Sequence, residues 1–303
     1  MATKSRAVVM RQNGPPEVLG IEELLLAPLV HGEVRLRTLA SAVNHSDLQI
    51  RAGHWPILRE PRFPYVPGLE AVGEVVEVAD GVSEFAVGDR AWTAMQGFGG
   101  VRAERDGGYA EFFTVPSSVL APLPAGLDAV EFAAIGLAGV TAIEGMRRLG
   151  PLSGKTLVIS GATGGVGAVA AGIGRALGAE VIALERGSPA PQPGSADAVL
   201  DSVAGPLFPT LVSALRPEGR YCIVGAAAGG DVAFDVWRLL DGRALTGYST
   251  ETLDGTVLRR ATQELIRLRL PPPPTRVLPL AEAARAHALI EERAVRGRVV
   301  LVP

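Results

Sequence analysis

The stretch from residue 156 to residue 185 constrains the fold more than any other part of this 303-residue chain. Thr156-Leu157-Val158-Ile159-Ser160 is a continuous apolar run, the pattern of a strand covered on both faces of a parallel sheet. Gly161-Ala162-Thr163-Gly164-Gly165-Val166-Gly167 follows at once and opens an Ala/Gly-rich helix that ends near Gly178. A second apolar strand, Glu180–Leu184, comes next. Strand, tight turn, helix and strand in this order make a βαβ unit with a dinucleotide site at its first turn. Glycines there let the backbone approach a pyrophosphate, and the helix start offers free N–H groups and a positive dipole end. Gly164 and Gly167 match the second and third glycines of G-x-G-x-x-G, and Ala162 stands at the first. The candidate cofactor-binding residues are Ala162, Thr163, Gly164, Gly165, Val166 and Gly167.

The end of the second strand should select the cofactor. Glu185 is placed to accept from a ribose 2′-hydroxyl, which suits NAD, and Arg186 to pair with the 2′-phosphate of NADP. NADP(H) is favoured, with NAD(H) the alternative.

Composition narrows the class. Apolar residues make up 48% and charged residues 20%, enough to bury a large core, and the length suits about two domains. The 37 glycines and 23 prolines punctuate apolar runs rather than forming low-complexity tracts. A net charge of −3 without single-sign blocks argues against nucleic acid and against an anionic membrane as partners. The start, MATKSRAVVM, carries no cleavable apolar segment, and no run of about 18 uninterrupted apolar residues occurs, so a cytoplasmic protein acting on a small molecule is expected. The single cysteine, Cys222, lies in the apolar run Tyr221–Val224, where a buried, inert thiol is expected.

Short β-like runs (Ala7–Met10, Glu33–Arg37, Val72–Val78, Tyr109–Val115) fill the first 120 residues. Helix-length segments begin after Pro116 with Asp128–Leu149, and strands alternate with helices from Lys155. The expected fold class is therefore α/β: a mainly-β domain from residues 1–120 and 270–303, and a nucleotide-binding domain from 121–269. Pro271–Pro274 should form an extended linker.

Several motifs together resemble one family: Gly14–Leu19, Ala42-Val43-Asn44 with Asp47, Pro67-Gly68-Leu69-Glu70, Val87–Arg90, Gly107–Glu111, Leu137–Ala142, Ala162–Gly167 and Arg296–Leu301. Across nearly its whole length the chain is similar to zinc-independent quinone oxidoreductases of the medium-chain dehydrogenase/reductase superfamily. The resemblance implies a GroES-like catalytic domain with a Rossmann domain, the active site in the cleft between them, and a homodimer or homotetramer. Zinc-containing members carry a Cys in the segment that reads Val43–Asp47 here, and Gly-His-Glu where this chain has Gly68-Leu69-Glu70, so no metal is expected. Without a Lewis acid, ordinary alcohol dehydrogenase chemistry is disfavoured; a quinone or α,β-unsaturated carbonyl already spreads the charge that arrives with hydride.

By the same resemblance Asn44 holds the nicotinamide or the substrate oxygen, Thr141 lines the nicotinamide pocket and Arg293 lies near the cofactor. Trp55 stands where many relatives have a tyrosine and is expected to stack on a flat substrate; Gln49 replaces another tyrosine. Asp47 and Glu70 are expected to hold the domain by hydrogen bonds. The resulting expectation is an NADPH-dependent reductase of quinones or enones. Its alternatives are an enoyl-thioester reductase and a nucleotide-binding sensor or scaffold with little turnover. One departure from the family is large: only Gly187–Ser195 separates Arg186 from the next strand, so the Rossmann domain should lack its third strand and the helix before it.

Overall fold

The computed structural model describes residues 4–55, 63–94 and 105–303. Its elements in chain order begin with β1 (Lys4–Val9), β2 (Gly20–Leu25), β3 (Glu33–Ala42), α1 (His45–Ala52), β4 (Glu70–Val78), β5 (Arg90–Ala94), β6 (Phe112–Pro116) and β7 (Ala121–Leu123). They continue with α2 (Ala129–Leu149), β8 (Thr156–Ser160), α3 (Gly165–Ala176), β9 (Glu180–Leu184), β10 (Ala196–Asp201), α4 (Phe208–Ala214), β11 (Leu215–Ile223) and β12 (Ala244–Gly247). The chain closes with α5 (Gly255–Leu268), β13 (Thr275–Pro279), α6 (Ala283–Glu291) and β14 (Arg298–Val302). Contacts divide it into one unit of residues 1–137, 251–262 and 274–303 and a second of 138–250 and 263–273.

In the first unit a sheet runs in the order β13-β14-β3-β4-β5-β7, with β6 also on β3, and β1 and β2 form a separate pair. This mainly-β body is GroES-like. Inward residues of β3 and β4, among them Val34, Leu36, Ala71 and Val75, pack with Phe85, Phe113 and Val115. Trp92 is fully buried, donates from Nε1 to Thr262 Oγ1 at 2.9 Å and meets Phe132 edge-on with centroids 5.1 Å apart. The unit runs past residue 120 because β7 pairs antiparallel with β5, Trp92 opposite Ala121. Pro279 is tolerated because β13 is an edge strand, with β14 its only sheet neighbour among the described residues.

The start of α2 shows why the helix begins where it does: Asp128 Oδ1 accepts from the N–H groups of Val130 and Glu131 at 2.8 and 2.9 Å. Arg147 and Arg148 complement the dipole in its last turn, and Gly150 at φ +82° ends it. Its composition would suit a membrane span, yet 83% of its apolar window is buried inside the protein.

The second unit holds a five-stranded, all-parallel sheet in the order β12-β11-β10-β8-β9. Set against the six-strand order 3-2-1-4-5-6, β9 is the second strand and the third is missing, so β9 becomes an edge. Residues 185–195 carry the chain straight from β9 to β10. Phe208, Leu211 and Val212 of α4 pack on Val158, Leu184 and Val199. Helix α3 owes its glycines to close packing: a Cβ on Gly174 would stand 3.0 Å from both Leu157 Cδ2 and Val181 Cγ2. Cys222 is buried, and desolvation pushes its thiol up to about 11.

Candidate functional site

In the first unit α1 begins beside a buried polar cluster. Asn44 precedes the helix, and its N–H donates to Asp47 Oδ2 at 2.8 Å, while Asp47 Oδ1 accepts from Leu69 N–H at 3.0 Å. Asn44 Nδ2 donates to Glu70 Oε1 at 2.9 Å and to Ala42 O at 3.3 Å. Arg298 Nη2 donates to Asn44 Oδ1 at 2.9 Å and to Glu70 Oε1 at 3.2 Å, and Glu70 Oε2 accepts from Leu137 N–H at 2.8 Å. An amide has two N–H donors, and both of Asn44's are committed inside the protein, while its Oδ1 meets Arg298 and, in the capping box, the Asp47 N–H. Asp47 and Glu70 thus act as the sequence suggests, tying α1, β4, α2 and β14 together.

Burial dominates the electrostatics of this cluster. It raises Asp47 to about 7, against the pull of its two backbone donors, and raises Glu70 although the Arg298 guanidinium opposes the rise. A second buried group adjoins it. His287 of α6 lies between Tyr109, whose hydroxyl is 3.3 Å from Nε2, and Arg51, whose Nη1 is 3.4 Å from Nδ1. Burial, with the Arg51 charge second, pushes His287 down to about 3, so the ring is neutral. Arg51 itself pairs with Glu291.

The remaining residues expected in the first unit lie apart from that cluster's bonds. Trp55 is half-buried and donates from Nε1 to Glu251 Oε1 at 3.0 Å, so its ring edge is fixed. Arg293 follows α6, exposed, in the left-handed region at φ +57°. Its charge, after desolvation, contributes to lowering His45.

The second unit brings the glycine-rich residues together as a cradle at the C-terminal ends of the parallel strands. Gly161 takes φ +64°, so the left-handed residue of the turn precedes Ala162; this is why alanine is tolerated where a glycine was expected. Ala162 N–H donates to Leu184 O at 3.0 Å, tying the turn to the end of β9. Gly164 precedes α3 with no side chain to cap it, and the first-turn N–H groups that follow have no partners inside the helix. A Cβ on Gly167 would stand 2.2 Å from Gly161 O. Side chains are excluded where a phosphate would need the backbone, so these residues fit a dinucleotide's pyrophosphate. Thr141 is buried on α2, and Glu185 and Arg186 are exposed just past β9. Glu185 N–H donates to Ser188 Oγ at 2.9 Å, in a tight turn.

Sequence reading missed Asp201, the last residue of β10, which is fully buried and joins Ser160 and Tyr221 in one hydrogen-bonded group. An acidic residue ending an apolar strand was the signal available. Among the described residues no group of three or more His, Cys, Asp or Glu side chains is arranged to hold a metal ion.

The chain holds a GroES-like unit and a parallel-sheet unit with a glycine cradle. Two family models agree: the alcohol dehydrogenase GroES-like domain matches residues 30–125, and the zinc-binding dehydrogenase family matches residues 177–301. An alcohol dehydrogenase of Geobacillus stearothermophilus is 36% identical over 190 residues, 56% of this chain and 55% of that protein. A quinone oxidoreductase of Lama guanicoe is 34% identical over 173 residues, 56% of this chain and 49% of that protein. The chain thus spans about half the length of the curated relatives it matches. The solved structure of an NAD-dependent alcohol dehydrogenase superposes with a TM-score of 0.84 at 29% identity, covering 98% of this chain and 99% of that one. By these matches the chain is similar to members of the medium-chain dehydrogenase/reductase superfamily.

Proposed function

We propose that the protein is a zinc-independent, NAD(P)H-dependent reductase that passes hydride to a quinone or an α,β-unsaturated carbonyl. The observation that carries the reading is the pairing of an intact glycine cradle with a polar cluster that does not suit a metal. Leu69 is apolar, Asn44 has both N–H groups committed, and the Arg298 guanidinium is 3.2 Å from Glu70, where it would repel a divalent cation. The quinone oxidoreductase relatives support the acceptor class.

The nicotinamide, when bound, supplies the hydride. The chain's own residues hold and orient it: Gly164–Gly167 offer backbone N–H groups to the pyrophosphate, Ala162 and Thr163 shape the turn, and Thr141 and Arg293 complete the cofactor contacts. Arg186 favours the 2′-phosphate of NADPH, and Glu185 is its competitor for NADH. In the first unit Asn44 is assigned to the nicotinamide or the substrate oxygen, and Trp55 offers a flat face to a conjugated acceptor. We extend the proposal to a cytoplasmic homodimer or homotetramer. Among the described residues the sheet edges at β9 and β12 lack a second neighbour, and Val236, Trp237 and Leu240 lie exposed just before β12.

The test is oxidation of NADPH and NADH with a panel of quinones, enones and simple aldehydes, with and without a chelator. Chelator-resistant turnover with quinones or enones is expected. Turnover of simple aldehydes that the chelator abolishes would overturn the proposal. Tight binding of either dinucleotide with no turnover would favour instead the sensor reading that the shortened sheet suggests.

A further inference from the structure

Asp201 occupies the place where the strand order of the sheet turns back. From β8 the chain moves outward through α3 to β9, and from β10 it moves the other way through α4 to β11, so the loops after β8 and β10 diverge and leave a crevice between them. Five neutral hydrogen bonds converge on the Asp201 carboxylate. Oδ1 accepts from Ser160 Oγ, from Val203 N–H at 2.8 Å and from Ala204 N–H at 3.1 Å; Oδ2 accepts from Tyr221 OH and again from Ala204 N–H at 3.1 Å. Ser160 is the residue just before the cradle. Its Oγ also accepts from Ser202 N–H at 2.9 Å, and Ser202 Oγ donates back to Ser160 O at 3.2 Å.

The turn held in this way abuts the cradle. A Cβ on Gly161 would stand 2.8 Å from Ser202 Oγ and 3.0 Å from Val203 Cγ2. The loop after β11 hangs on the same turn, through Ala228 N–H to Val203 O at 2.8 Å and Val224 N–H to Asp201 O at 2.7 Å. Ala204 pays for the arrangement in backbone strain, lying at φ +54°, ψ −139°, which a residue with a Cβ rarely adopts. Its N–H is the one shared by both carboxylate oxygens. A strained alanine pinned by a buried carboxylate, at the mouth of a ligand crevice, is costly for stability alone and useful for shape.

We infer that Asp201 is a positioning residue for the cofactor: with Ser160 and Tyr221 it clamps the Ser202–Gly205 turn against the Gly161 turn, so that both walls of the crevice are fixed before the dinucleotide arrives. The inference rests on the reading that this crevice takes a nicotinamide dinucleotide, and concerns binding rather than hydride transfer itself.

Asp201→Asn and Ala204→Gly in the full chain test it, with NADPH and NADH as probes. Dissociation constants are read by quenching of protein fluorescence, melting temperature by circular dichroism, and KM and kcat by turnover of a quinone. Asp201→Asn should weaken dinucleotide binding about tenfold or more, raising KM for the cofactor while kcat at saturating cofactor falls far less. Ala204→Gly should raise the melting temperature, because glycine removes the strain, and yet weaken binding several-fold, because the turn is freed. A merely structural role would move the two readouts together. Folded Asp201→Asn that binds like the parent overturns the inference. Should Asp201→Asn not fold, Ala204→Gly decides: stabilisation with unchanged affinity overturns it as well. If the parent binds neither dinucleotide, the proposed function falls first and this inference with it; if the parent binds and the variants match it, only the inference falls.

Discussion

Asp47 and His287 should give the protein two opposed pH dependences that nearly conceal each other. Asp47 is raised from 3.8 to about 7 by burial, a shift worth roughly 4 kcal/mol. Because the folded pKa is the higher one, its contribution is complete below pH 4 and is lost as pH rises toward 7. His287 is lowered from 6.5 to about 3, a shift worth roughly 5 kcal/mol, by burial and then by Arg51. Its contribution is complete above pH 6.5 and is lost as pH falls toward 3. Between about pH 4 and 6.5 the two slopes oppose, so the parent should show only shallow pH dependence there. Each substitution should unmask the other group. His287→Gln should grow more stable, by a few kcal/mol, as pH falls from 7 to 4, whereas Asp47→Asn should lose stability by a similar amount over the same range. The assay is urea unfolding followed by tryptophan fluorescence, with Trp92 reporting from the core of the same unit. If both variants keep the parent's profile, displaced by a constant, the reasoning is refuted.

Other substitutions test the geometry one contact at a time. A Cβ on Gly136 would stand 2.2 Å from Glu70 Oε2, so Gly136→Ala should dislodge a buried carboxylate from its donors at a cost of about 3 kcal/mol, read as a lowered urea midpoint. An unchanged midpoint would mean that Glu70 is not held where it is described. Gly167→Ala puts its methyl against backbone, at 2.2 Å from Gly161 O, and should weaken dinucleotide binding by about tenfold or more, or ~1.4 kcal/mol, in a fluorescence titration. Arg186→Ala should reduce affinity for NADPH several-fold and leave NADH nearly unchanged; equal losses for both would remove Arg186 from cofactor selection.

The parts of the fold legible in the sequence are those with a strong local signal. Residues 156–184 read directly because an apolar strand, a glycine turn and an Ala/Gly helix each have their own pattern, and the short link to β10 showed the missing strand. Strands such as Ala121–Leu123, Ala244–Gly247 and Thr275–Pro279 did not read, being short, partly exposed and held by pairing with distant partners. The long-range bonds of the site were equally hidden. Trp55 was expected to face a substrate, and nothing in its neighbourhood announces that its ring N–H meets Glu251, 196 positions on. Asp201 could be placed at a strand end, but Ser160 and Tyr221 lie 41 and 20 positions away. The turn glycine was sought at position 162, and the backbone uses Gly161, because the need for positive φ belongs to the turn rather than to the motif's spacing.

The direct link from β9 to β10 also makes the nucleotide-binding unit open to grafting. Eleven residues, 185–195, can span about 36 Å when extended, while returning along one strand and crossing two strand spacings takes about 20 Å. The slack is taken up in turns whose glycines, Gly187 and Gly194, are both exposed and both at positive φ. A strand-and-helix cassette spliced between those two glycines would meet the open edge of β9 as a sixth strand, on the side of β9 away from β8 and its glycine turn. The sheet thus carries a seam at which new sequence can be added, and any contact that a longer sheet would make with the adenosine half of a dinucleotide could be installed there as a module.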